Sequence, residues 1–98
     1  MAGSIITLTD ASKMTGSFRR NYPNVTQGVY YTSNVFSDIM SQKGCVGIRI
    51  YNAIDDAGNM TNVLVGVDAK GNDLYNGKIY DDGAKCPPVC GISNPLNS

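Results

Sequence analysis

"CVGIRIYNAIDDAGNMTNVLVGVD", residues 45–68, decides the fold. Val46, Ile48 and Ile50 alternate with Gly47, Arg49 and Tyr51, and Val63, Val65 and Val67 alternate with Leu64, Gly66 and Asp68. A period of two over β-branched residues is the pattern of a half-buried strand. Between the two runs, "DDAGN" at 55–59 supplies the Asp, Asn and Gly that tight turns need. An antiparallel hairpin is predicted, with strands at 46–54 and 60–68. One of its faces is expected to pack on helices. The other is expected to carry Arg49, Tyr51 and Leu64 around Gly47 and Gly66.

Upstream, Leu8, Ala11, Met14 and Phe18 recur at helical spacing behind Thr9, a candidate N-cap. Pro23 disfavours helical geometry in Tyr22, so the helix is placed at about 9–20. "QGVYY" at 27–31 reads as a short strand. A second helix is expected at about 34–43, capped by Ser33, with Val35, Phe36, Ile39 and Met40 as its apolar stripe and Gly44 as its stop. The crossover to the next strand is long enough for a parallel β-α-β connection but does not require one. Downstream, "DAKGND" at 68–73 is a further turn, followed by a weaker strand-like stretch at 74–80. The expected class is α+β: a small sheet of three to four strands, the central hairpin, and both helices packed on one face. Residues 1–80 form the domain and 81–98 an irregular tail carrying cysteines and prolines.

Composition narrows the function. The 98 residues hold eight basic and eight acidic side chains, so the net charge is zero. Such a chain has no general attraction for phosphate backbones or anionic membranes, and little self-repulsion to keep copies apart. Arg19 and Arg20 beside Tyr22 are a short basic pair at a helix end, where they complement the helix dipole. No nucleic-acid or membrane partner is expected. The N-terminal residues lack a signal-peptide pattern and no stretch has the apolar length of a membrane span, so a soluble, cytoplasmic protein is expected.

There is no histidine. The commonest general base and metal ligand is therefore missing, as are phosphate-cradling glycine motifs and the nucleophile elbow. The acidic turns present oxygen donors, but the chain has no glutamate to close an EF-hand loop. A histidine-free enzyme would have to move protons with Asp68, Asp73 or Tyr51.

Two features remain. Arg49 lies mid-strand between isoleucines, where it must face solvent, pair with a carboxylate such as Asp68 or Asp73, or meet a partner. Arg49, Tyr51, Leu64, Asp68 and Asp73 are the candidate interaction surface. The second feature is "KCPPVCG" at 85–91. Cys86 and Cys90, with Cys45, could hold Zn²⁺ or Cu(I), act in redox chemistry, or serve structurally. An extended Pro-Pro run would hold the two Cα atoms about 12 Å apart. A disulfide needs them within about 7 Å, so it requires a sharp turn or a cis peptide.

The segments "GCVGIRIY" from Gly44, "LVGVDAKGNDL" from Leu64 and "CPPVC" from Cys86 together resemble a group of small uncharacterised bacterial proteins. "ITLTDASKMTGSFRRNYP" fits that group too. The resemblance implies a bacterial origin, a self-contained module, and tail cysteines that belong to the type. The expected function is a bacterial binding or assembly module acting by protein–protein contacts, chiefly self-association, without catalysis. The alternative is a thiol-based metal or redox protein using Cys86 and Cys90.

Overall fold

Hairpin geometry is visible first in two near-identical loops. The computed structural model describes residues 2–98. In it Asp55 Oδ1 accepts from the Ala57 and Asn59 amides at 3.0 and 2.8 Å, and Asp68 Oδ1 accepts from the Lys70 and Asn72 amides at 2.9 Å each. Each loop is Asp-x-x-Gly-Asn. Gly58 and Gly71 occupy the left-handed region at φ 85° and 83°, which an L side chain rarely adopts. One oxygen of each carboxylate is thus spent on loop amides, which is turn chemistry, and the other oxygen of Asp55 pairs with Lys85 Nζ at 3.4 Å.

These loops connect three antiparallel strands, β2 (Cys45–Ile54), β3 (Met60–Asp68) and β4 (Ile79–Tyr80), in the order β2-β3-β4. The remaining elements are helix α1 (Leu8–Asn21), strand β1 (Gly28–Tyr30), helix α2 (Ser33–Met40) and strand β5 (Ala84–Cys86). β1 pairs antiparallel with β5 in a separate two-stranded sheet. The chain is a small α+β protein. No described helix is long and apolar enough to cross a membrane.

Several details differ from expectation. Thr7, not Thr9, caps α1, its hydroxyl accepting from the Asp10 amide at 3.1 Å. Thr32, not Ser33, precedes α2, and that helix ends at Met40. The crossover after β1 does not lead to a parallel neighbour, because β1 is claimed by the tail. Residues 81–98 are correspondingly not wholly irregular. β5 and the Gln27 amide's 2.6 Å bond to the Cys86 carbonyl tie them back.

Of the two helices, α2 is the one that packs closely on the three-stranded sheet. Ile39 is fully buried, and the Gly66 backbone lies beneath it: an added Cβ there would meet Ile39 Cγ2 at 3.3 Å. Asp38, on the flank of α2, accepts from Lys78 Nζ at 2.6 Å and from the Tyr80 hydroxyl at 2.5 Å, tying α2 to β4. α1, by contrast, makes no substantial packing contact with either sheet. Arg19 holds it to the tail instead, donating to the Leu96 and Ser98 carbonyls at 2.6 and 3.1 Å. The expectation that both helices cover one face holds for α2 alone.

The hairpin register also reassigns the faces. Ile54 pairs with Met60, Ile50 with Leu64 and Arg49 with Val65. A five-residue loop places even residues opposite even ones, so Leu64 shares a face with Ile50 and Gly66, not with Arg49. Side chains on opposed residues share a face. Leu64 is therefore on the α2 side and 1% exposed. Among the described residues the withdrawn large apolar side chains are Ile39, Leu64 and Val65. That is a small core for such a chain.

Candidate functional site

On the face away from α2, the register brings Arg49 and Tyr51 into line with Val65 and Val63. Asp73, on the strand side of the second loop, accepts from both the Arg49 guanidinium and the Tyr51 hydroxyl. Arg49 also donates to the Gly71 carbonyl at 3.2 Å. The hydrogen bond from Tyr51, followed by Arg49, holds the Asp73 carboxyl below its ordinary range. The same Asp73 contact raises Tyr51 above the usual phenol range. At neutral pH the carboxylate is thus a weakened base and the phenol a weakened acid. The trio ties β2 to the second loop.

Of the five sequence-derived surface residues, Arg49, Tyr51 and Asp73 meet. Asp68 does not join them, since its Oδ1 is occupied by the amides of its own loop. Leu64 is on the opposite face and buried, because the loop length sets the parity of the pairing. It is not a surface residue.

Cys86 and Cys90 are bonded to each other, with Cα atoms 4.6 Å apart across cis peptides at Cys86–Pro87 and Pro87–Pro88. Cys45 is apart from this pair as a free, half-buried thiol that contacts the Gly47 carbonyl at 3.2 Å. No three Cys, Asp, Glu or His side chains converge among the described residues. The disulfide closes a short loop that starts at the last residue of β5, the strand that pairs with β1.

Three features of the fold were not legible in the sequence. Lys78 and Tyr80 share Asp38 as Arg49 and Tyr51 share Asp73, and both pairs have the same two-residue spacing, on β2 for one and at the start of β4 for the other. That spacing was readable; the distant carboxylate was not. A cavity of about 370 Å³ separates α1 from the sheet end, walled by Met14, Phe18, Val29, Met60 and Leu96. In its lining, Gln27 donates to the Tyr22 and Val25 carbonyls at 2.8 and 2.9 Å, while its buried Oε1 has no partner. The third is an apolar strip along the outer margin of β2. Ile50 and Ile54 are 57% and 73% exposed there.

The margin of α2 over that strip follows from the helix period. Asp38 points toward β4, and Met40 and Phe36 lie about 160–200° around the axis from it at 100° per residue. They therefore look toward β2. Both are partly exposed, and Phe36 borders the same hollow as Ile50 and Leu64. The apolar side chains along this margin are Phe36, Met40, Ile50 and Ile54, all partly exposed. Compared with known proteins, the chain matches no family model, no curated protein and no solved structure.

Proposed function

We propose that this chain is an assembly module whose core is completed by further copies of itself. The carrying observation is area. The folded chain exposes 7200 Å², whereas a compact monomer of its mass exposes about 5400 Å². Its radius of gyration is 14.9 Å, against about 12.6 Å for a compact domain of this length. The excess of about 1800 Å² per chain falls in the range that obligate homodimers bury.

Apolar side chains account for much of that surface. Ile5, Ile6, Leu8 and Met14 on and before α1 are 102%, 52%, 56% and 66% exposed. Exposed apolar surface on this scale marks an interaction site. A net charge of zero places no long-range barrier between copies.

Size-exclusion chromatography with light scattering, over a concentration series, tests this reading. The expected result is a mass that is a multiple of the chain at micromolar concentration. A monomer mass at every concentration would overturn it. The Cys86–Cys90 disulfide and the separate position of Cys45 give a three-thiolate metal site no support.

A further inference from the structure

We propose that the outer edge of β2 is the joint between copies: two β2 strands pair antiparallel about a two-fold axis, making one six-stranded sheet with the two α2 helices side by side above it. This rests on the self-association reading and gives it a geometry.

The first support is the free edge. β2 spans ten residues, about 34 Å at strand rise, and is the outermost strand in the order β2-β3-β4. The Asp55 amide bonds to the Asn59 carbonyl at 2.9 Å. In an antiparallel ladder the inward-bonding residues recur every second position, so Ala53, Tyr51 and Arg49 also bond to β3. Ile48, Ile50, Asn52 and Ile54 therefore point their amides and carbonyls outward. Among the described residues these groups have no backbone partner.

The second support is the absence of edge protection. Exposed strands are usually guarded by proline, lysine, inward charge or a bulge. β2 contains no proline and no lysine. Its one charge, Arg49, is committed to Asp73, and its bulge lies at the far end between Cys45 and Gly47.

The third support is self-complementarity. A two-fold joint places the same patch on both sides, so the margin must match itself. An axis at Arg49 would oppose two guanidinium groups in a close pair and is excluded. An axis at Ile50 sets Ile50 against its own copy and Arg49 against Tyr51 of the second copy. Faces are kept by such an axis, so Phe36 and Met40 of both α2 helices meet above the joint. The exposed Ile50, Phe36 and Met40 side chains, 57%, 39% and 42% accessible, lose their water together. Main-chain bonds supply the joint and alternate apolar side chains its selectivity, as in other strand additions.

Residue-resolved amide hydrogen exchange on the assembled wild-type protein tests the joint. The amides of Ile48, Ile50, Asn52 and Ile54 should exchange on the order of 100-fold more slowly than in protein diluted to the monomer. Those of Arg49, Tyr51 and Ala53 serve as the internal reference, being bonded within the chain in both states. An oligomer in which the four outward amides exchange freely would overturn the joint and leave self-association standing. A wild-type monomer at all concentrations would remove both.

Two variants give an independent reading. Asn52→Pro deletes an outward donor without touching the bonds to β3, and Met40→Lys opposes two cations across the axis. Each should lower the mass measured by light scattering while leaving the circular dichroism of the chain unchanged. Wild-type mass in both folded variants would overturn the joint.

Discussion

Replacing Leu64 with alanine tests the face assignment on which the architecture depends. Leu64 is 1% exposed and sits on the α2 face, opposite Ile50 and beside Tyr80 in register. The substitution removes three carbons, at about 0.8 kcal/mol each for the lost transfer from water. Ile39 of α2, over Gly66 on the same face, is fully buried, so little in the packed face is free to refill the void. Buried leucine-to-alanine changes of this kind cost about 2–5 kcal/mol, and about 3–4 is expected here. A domain of this length has a total stability of roughly 5–15 kcal/mol, so the loss is a large share. Urea unfolding measures it, at one fixed protein concentration because association feeds into apparent stability. Val63→Ala is the reference, a half-buried position on the other face. If Leu64→Ala costs less than about 1 kcal/mol, or no more than Val63→Ala, then Leu64 is on the outer face and the register argument fails.

Three more outcomes follow from the geometry. A Cβ at Gly83 would lie 2.4 Å from Val29 Cγ1 and 2.7 Å from Tyr31 Cζ. Gly83→Ala should therefore cost about 1–3 kcal/mol by overpacking in urea unfolding, and a change within ~0.5 kcal/mol would refute the close approach. Replacing Cys86 and Cys90 with serine frees a five-residue loop and should lower stability by about 2 kcal/mol, with dithiothreitol lowering the wild-type urea midpoint similarly; insensitivity to both would show that closing the loop does not stabilise the fold.

The third concerns pH. Asp38 is lowered chiefly by its bond from Lys78, Asp55 by the Asn59 amide and Asp73 by Tyr51. Their stabilisation is present above the unfolded carboxylate value of about 4 and lost as pH falls through the lowered folded values. Tyr51 and Tyr80 are raised chiefly by bonds to carboxylates, and Tyr31 by burial. Their contribution is full below about pH 10 and lost as pH rises through the raised folded values. The urea midpoint should thus fall at both ends of the pH range, and a midpoint unchanged from pH 6 to pH 3 would refute the carboxylate part.

What the chain determines locally was readable without coordinates. The Asp-x-x-Gly-Asn loops close on their own amides, strand alternation flanks the first of them, and both helices carry apolar residues at helical spacing. Each of these interactions lies within a few residues, so composition and spacing suffice to read it. Asp73 was one of two mates, with Asp68, that the sequence offered Arg49 besides solvent or a partner, and the fold brings Asp73 to it.

Tertiary structure decided the rest. Whether Leu64 faces α2 or solvent depends on the parity of a loop, and a shift of one residue reverses every side chain on the strand. Where α1 lies depends on a contact between residues far apart in sequence, Arg19 with the Leu96 carbonyl. The tail cysteines were open to three chemistries until the bend at the prolines brought them together, beside a strand that β1 alone could not announce. Periodicity says which side chains seek cover. Only the folded arrangement says which find it within the chain and which, like Ile50 and Met40, are left at an open edge.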